Sequence, residues 1–515
     1  MARDNILFIT LDQLRADCIA GPLADQLELP NLRSLMTESI TFAKHFSVAT
    51  PCGPARTSLL TGLYAMNHRS VRNGAPLDSN RTNIALELRK AGYEPLLYGC
   101  TDISIDPRGR DPDDPDVRTY EGLLPGFREV VRLRYEESHT WHQHLQRQGY
   151  RLSQSRAELF QPHTSDGRPS AVLTDPAFFG AEHSETAFLT DCVIEDLESP
   201  RAQGWCAHVT YIRPHPPLVA PHPYNTLYDP DALTAPVRAG TVDDQIRLHP
   251  FFEAYFSEPA IKSLYAGFDG RLVAMEDERV AVLRAIYCGL VSELDTQIGR
   301  LLEVLNRTGQ YERTLIIVTS DHGEMLGDHF MWGKDNVYDA AFHVPLIIRD
   351  PQRRGTAGRV VPNFTESIDL APTLLGWSGQ PVPAALDGVS LLPWLDGEAP
   401  STWRDHVFAE VDIGNPVTPT RYQRHLGLKL AESNFALLRT ERLKLVHFNG
   451  GLPPLLFDLE KDPGELVNVA DDPDYARDLK DMLVSMLDHR MTHADQTLSR
   501  MALTSDGVQQ ASSDA

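Results

Sequence analysis

Asn5-Ile6-Leu7-Phe8-Ile9-Thr10-Leu11-Asp12 is a short apolar run, rich in β-branched residues, that stops on a carboxylate. Its length and its lack of polar alternation read as a strand buried on both faces. Comparable runs stand at Glu94–Tyr98, Trp205–Ile212, Thr314–Thr319 and Pro345–Arg349. Helical patterns lie between them, the clearest being Leu283, Ile286, Leu290, Leu294, Ile298, Leu301 and Leu305, spaced three or four apart along one face. Strands alternating with helices make an α/β fold, a mostly parallel sheet sandwiched by helices. In such sheets ligands sit beyond the carboxyl ends of strands. Two of the runs end there in metal-ligating residue types, Asp12 and the pair Asp321-His322.

The texture changes after about residue 380, where Pro381, Pro383, Gly397 and Pro400 loosen the chain. Shorter strand-like stretches follow at Phe435–Arg439 and Lys444–Phe448, then a helix around Tyr475–His489. The expected organisation is a catalytic domain over 1–380, with an insertion at about 228–275 that lacks a clear period. A smaller C-terminal α+β domain spans 381–495, and 496–515 is a polar tail or oligomerisation arm.

The 515 residues suffice for a large buried core, and 48 basic against 71 acidic residues give a net charge of -23. That field repels nucleic acid and anionic membrane surfaces, so neither is an expected partner. No run approaches the roughly 20 apolar residues needed to cross a bilayer. The start, Met1-Ala2-Arg3-Asp4, has no signal-peptide anatomy. The six cysteines are scattered through mostly apolar surroundings and read as free thiols of a reducing compartment, so a cytoplasmic location is expected. An anionic substrate in such a field needs a local positive site, which a metal and a few cations would supply.

The most informative segment for chemistry is Thr50-Pro51-Cys52-Gly53-Pro54-Ala55-Arg56-Thr57-Ser58-Leu59-Leu60-Thr61-Gly62. Pro54 suits a first helical turn, which puts Cys52 at a helix N-terminus with Arg56 one turn on. A cysteine there is expected to have a depressed pKa. The pattern Cys-x-Pro-x-Arg, continued to Thr61-Gly62, resembles the signature of the sulfatase family of the alkaline-phosphatase superfamily, with Ala55 where serine is usual. In that family the cysteine is oxidised to formylglycine by a formylglycine-generating enzyme. The resemblance implies an alkaline-phosphatase-like fold and one divalent ion per chain, bound by Asp12, Asp321, His322 and the modified Cys52. Manganese is favoured, with calcium or zinc as alternatives, because an imidazole joins the carboxylates and Gln13 replaces the family's second aspartate.

Arg213-Pro214-His215-Pro216-Pro217 and Gly333-Lys334-Asp335-Asn336-Val337-Tyr338 resemble the phosphonate monoester hydrolase and dimeric arylsulfatase branch. By that resemblance His215 and Lys334 hold the transferred group and assist the leaving oxygen, Arg56 orients the nucleophile, and Gln13, Asn73 and Thr101 contact substrate. The branch usually carries a tyrosine two residues before the threonine matched by Thr101, and Gly99 stands here, which leans the reading toward sulfate. Asp369-Leu370-Ala371-Pro372-Thr373-Leu374 and Leu456-Phe457-Asp458 through Asp462-Pro463 extend the resemblance over nearly the whole chain.

The implied activity is hydrolysis of sulfate monoesters, with promiscuous phosphonate monoester and phosphodiester hydrolysis, through a covalent hemiacetal. The alternatives are phosphonate or phosphodiester hydrolysis as the main activity, a phosphatase or mutase with an unmodified nucleophile and two metals, and a silent binding protein. A small anionic ester is the implied substrate and a homodimer or homotetramer the implied assembly. His139-Thr140-Trp141-His142-Gln143-His144 reads as a polar helix face rather than a second metal site, and Asp111–Asp116 as a solvated loop.

Overall fold

The computed structural model describes residues 3–152, 156–199, 204–495, 498–499 and 501–510. Its main sheet has nine strands: β1 (Asn5–Leu11), β2 (Ile40–Phe46), β3 (Pro95–Gly99), β4 (Arg128–Arg132), β5 (Cys206–Tyr211), β6 (Thr314–Ser320), β7 (His343–Val344), β8 (Leu346–Arg349) and β9 (Val360–Glu366). The order is β4-β3-β5-β1-β6-β8-β2-β7, with β9 paired to β2. From β4 to β6 every pairing is parallel, while β8 runs antiparallel to both β6 and β2.

The opening run is buried along its whole length, and its alternation sorts it into two cores. Leu7, Ile9 and Leu11 face one cluster with Ile316 and Val318, closed by Leu283, Leu290, Leu294 and Ile298. Ile6 and Phe8 face the other with Leu315 and Ile317, closed by Leu59, Leu60, Leu370 and Leu374. Helices therefore cover both faces, as a sheet without polar alternation requires. The helix read from the leucine–isoleucine stripe spans Asp277–Arg307.

A second, antiparallel sheet of four strands follows: β10 (His406–Asp412), β11 (Asn434–Thr440), β12 (Leu443–Phe448) and β13 (Leu455–Asp458), beside the helix Ala476–Thr492. Its first strand starts well beyond residue 380. The intervening Leu391, Trp394 and Leu395 pack with Leu59 and Leu60 of the first domain's core. Residues 228–275 hold two short helices, Val242–Arg247 and Pro250–Phe256. Phe251 stacks on Tyr422 and meets Phe435 and Phe448 edge-on or tilted, so the segment wedges against the second sheet. Within the tail, β14 (Met501–Thr504) and β15 (Gly507–Gln510) form an exposed hairpin; positions 496, 497, 500 and 511–515 lie outside the described residues. Among the described residues no helix is long and apolar enough to cross a membrane. The six cysteines are free and all but Cys192 are buried, as expected for small apolar fillers.

Candidate active site

Register builds the centre. Leu11 pairs with Tyr211 on one side and Ser320 on the other, so the residues just past β1 and β6, Asp12 and Asp321, emerge side by side. The helix Cys52–Thr61, all ten residues buried, starts at Cys52, with Pro51 as its N-cap and Pro54 in its first turn. One ligand atom from each of Asp12, Cys52, Asp321 and His322 lies within 4.8 Å of the others. His322 Nε2 is 3.2 Å from Cys52 Sγ, and Asp12 Oδ1 is 3.9 Å from the same sulfur.

Hydrogen bonds orient these atoms. Arg56 donates to Asp12 Oδ2 at 2.7 Å and to Asp321 Oδ2 at 2.8 Å, which leaves each Oδ1 turned to the cluster. Its remaining nitrogen reaches the Cys100 carbonyl at 3.1 Å and the Cys100 sulfur at 3.3 Å. His322 Nδ1 faces the Gly323 carbonyl at 3.0 Å, so Nδ1 carries the hydrogen and Nε2 presents a lone pair. Burial, then Lys334, holds that imidazole below its ordinary pKa and hence neutral. Burial and the neighbouring Asp321 push the Asp12 carboxyl up. At Asp321, burial is outweighed by His322 and Arg56, and its pKa is lowered.

The Cys52 thiol corrects an expectation. Burial first, then Asp12, pushes it well above its ordinary value, so the helix N-terminus does not make it a thiolate. Two carboxylates in a buried site outweigh the partial charge of one helix end.

A second group lies across the site. Lys334 Nζ donates to Gln13 Oε1 at 2.7 Å and lies 2.9 Å from His215 Nε2. His215 Nδ1 is 2.6 Å from the Pro216 carbonyl and must donate to it, so Nε2 accepts from the lysine ammonium. Burial and then Lys334 keep His215 far below the ordinary histidine pKa. For Lys334 burial opposes the charge, but coulombic attraction toward the Cys52 position and the Asp12, Asp335 and Asp321 carboxyls outweighs it and raises its pKa.

Asn73 also belongs to the site: its Oδ1 accepts from the Gly53 backbone N–H at 2.9 Å, directly after the nucleophile. Thr101 is placed otherwise. Its hydroxyl donates to the Gly122 carbonyl at 2.7 Å and accepts from Leu124 N–H at 3.0 Å, fastening a loop. The next residue, Asp102, takes the site-facing place. Its carbonyl oxygen would lie 3.0 Å from a Cβ on Gly53, and its backbone is left-handed, at φ 53°. Its Oδ1 is buried with no hydrogen-bond partner among the described residues. Burial pushes this carboxyl well above the usual range, against Arg56 and with Glu121, Asp12 and Asp321. Sequence reading missed Asp102 because it neighbours a better-known residue type. At φ +109° a Cβ on Gly99 would collide with Thr210 Oγ1 and the Thr210 carbonyl, so this strand end takes a glycine.

This geometry can be set beside known proteins. A model of the sulfatase family matches residues 4–380, and one of the N-sulphoglucosamine sulphohydrolase C-terminal region matches residues 327–493. The chain belongs to the sulfatase family. It is 38% identical to a multifunctional alkaline phosphatase superfamily protein of Trinickia caryophylli, over 99% of both chains. With a choline-sulfatase of Rhizobium meliloti it shares 30% identity, over 96% of this chain and 87% of that protein. The phosphonate monoester hydrolase of Silicibacter pomeroyi superposes with a TM-score of 0.94 at 50% identity, covering 99% of each chain. That of Agrobacterium radiobacter gives 0.94 at 41%, covering 99% of this chain and 100% of that one. This sulfatase-family chain is therefore an ester hydrolase of the sulfate and phosphonate ester class, with the family's mixed α/β fold.

Proposed function

We propose that this chain is a formylglycine- and metal-dependent hydrolase of sulfate monoesters, arylsulfatase-like, that also turns over phosphonate monoesters and phosphodiesters. The observation that carries the reading is the convergence of Asp12, Asp321 and His322 on Cys52, opposite the Lys334–His215 pair. The donor set fits one divalent ion: the Oδ1 of each aspartate, turned to the cluster by Arg56 on Oδ2, the Nε2 lone pair of a tautomer-fixed imidazole, and an oxygen at position 52. Manganese is favoured, calcium or zinc being the alternatives, and the ion when bound supplies a Lewis acid that acidifies a hydroxyl. Formylglycine made from Cys52 supplies, as its hydrate, the attacking hydroxyl and a second hydroxyl whose deprotonation releases the product.

The protein's own groups do the rest. Lys334 spreads the charge of the transferred group and passes a proton to the leaving oxygen, which departs with it; His215, neutral and with Nε2 toward the lysine, then accepts the proton that the second hydroxyl gives up and relays it to the lysine amine. Arg56 holds the two aspartates in register and offsets their charge. Asn73 and Gln13 supply amide groups beside the transferred oxygens. One such site serves all three substrate classes, since each presents a tetrahedral anionic centre with one ester bond to break. The exposed hairpin Met501–Gln510 supports an arm that orders in a homodimer or homotetramer.

The test is mass spectrometry of the tryptic peptide His45–Arg56 from protein made with a formylglycine-generating enzyme. An aldehyde in place of the thiol is expected. An unmodified thiol in fully active protein would replace this reading with an unmodified nucleophile. A second reading, phosphonate monoester hydrolysis as the main activity, is favoured by the two solved relatives above 40% identity. Rates on aryl sulfate and aryl phosphonate rank the two, and a dominant phosphonate rate puts the second reading first.

A further inference from the structure

We infer that Glu324 is a positioning residue for leaving-group chemistry, acting through the side-chain amide of Gln13 on Lys334; the inference rests on the reading of Lys334 above. Gln13 Nε2 donates to Glu324 Oε2, while Gln13 Oε1 accepts from Lys334 at 2.7 Å. This orientation follows from the chemistry of the two ends. A carboxylate only accepts and an ammonium only donates, so an amide between them has its NH2 toward Glu324 and its oxygen toward Lys334.

Both ends are built in. Glu324 is 1% exposed, and its Oε1 accepts from Leu326 N–H at 2.9 Å and Gly333 N–H at 2.6 Å. It thereby also fixes the backbone immediately before Lys334. Gln13 is a non-glycine residue in left-handed conformation, at φ 70°. Its backbone is pinned on both sides: Gln13 N–H donates to Asp321 Oδ1 at 3.1 Å, and Tyr287 OH donates to Gln13 O at 2.8 Å. With the backbone held, the side-chain amide keeps a single freedom, which end points at the lysine. Glu324 removes it. Two runs of donor–acceptor pairs then start at the Lys334 ammonium, one through Gln13 to the Glu324 carboxylate and the other through His215 to the Pro216 carbonyl. Such runs hold their members more strongly than isolated pairs.

The experiment is Glu324→Gln, followed by the exchange Glu324→Gln with Gln13→Glu. In the single variant the new amide oxygen can still accept from the Leu326 and Gly333 N–H groups, so the loop stays tied. The new NH2, however, turns the Gln13 oxygen to itself and presents the Gln13 NH2 to the lysine ammonium. The exchange restores an acceptor toward Lys334, since the carboxylate it places at position 13 accepts from both neighbours. Aryl esters of graded leaving-group pKa are the substrates, with Lys334→Ala measured alongside and metal and formylglycine content recorded for each protein.

For Glu324→Gln the expected loss in kcat/KM grows with leaving-group pKa, from about tenfold or less for the best leaving group to about a hundredfold for the poorest. It runs parallel to the slope of Lys334→Ala, and the exchange returns the slope toward the native one. A uniform loss across leaving groups, or an exchange that leaves the slope unchanged, would overturn the inference while leaving the Lys334 reading intact. A Lys334→Ala protein with no leaving-group dependence would overturn both.

Discussion

The two halves of the site are made differently. The side proposed to carry the nucleophile, Asp12, Cys52, Asp321 and His322, hangs directly from the ends of neighbouring parallel strands and a buried helix, and every member is buried. The leaving-group side, Gln13, His215, Lys334 and Glu324, comes from loops, and its two reacting groups are only partly buried. Strand register places the first group to within a residue. The second draws Gln13 and Glu324 from just beyond those same two strand ends, but His215 and Lys334 from loops without a shared register, and hydrogen bonds between the side chains join them. Rigid elements hold what must not move, and a bonded chain sets which way amide and imidazole groups face.

Five substitutions break or sharpen that contrast. The largest effect is expected on the strand-borne side. Asp321→Asn is predicted to abolish stoichiometric metal binding and to lower kcat/KM on the order of a thousandfold for every substrate, read by metal analysis and steady-state kinetics. On the loop-borne side, Lys334→Ala leaves metal content intact, and its loss, about a hundred- to ten-thousandfold for poor leaving groups, shrinks with better ones. An equal loss across leaving groups would erase the distinction between the two halves.

Thr101 and Asp102 test where the boundary of the site runs. Asp102→Ala is expected to lower kcat/KM about ten- to a hundredfold with little change in melting temperature, because that carboxyl has no hydrogen-bond partner to lose among the described residues. Thr101→Val is expected to do the opposite, costing about 1–3 kcal/mol of stability through the orphaned Gly122 and Leu124 backbone groups. Paired thermal melts and kinetics separate them, and a catalytic loss at Thr101 alone would restore the assignment made from sequence.

The smallest effect on catalysis lies behind the site. Burial raises Glu293, which accepts from Ser184, to about 7. Below the ordinary carboxylate pKa of 4.5 folded and unfolded chains are both protonated there, and no pH dependence arises. Between that value and about 7 only the unfolded chain ionises, so stability falls by about 1.4 kcal/mol per pH unit from this group, then levels off. Glu293→Gln removes that fall. Its melting temperature relative to the native protein is expected to climb through this window, and a constant offset from pH 4 to pH 8 would refute the assignment.

The opening run by itself determined a doubly covered strand, because seven consecutive buried positions leave no polar face. The Cys52–Gly62 motif likewise located the helix that starts at Cys52, and the strand-end residues the carboxylates and imidazole that gather beside it, since these are local patterns tied to local geometry. Tertiary structure alone decided the rest. That Cys52 is a protonated thiol depends on Asp12, forty residues away in the chain, and on burial. That the backbone at Asp102 comes up against Gly53 while the Thr101 hydroxyl is tied to the Gly122 loop involves a left-handed residue at Asp102, which the motifs do not announce. That Glu324 governs Lys334 depends on Gln13, more than three hundred residues from both. Periodicity and motifs report a residue's neighbours along the chain. Hydrogen-bond direction and desolvation depend on neighbours in space, and only the fold supplies those.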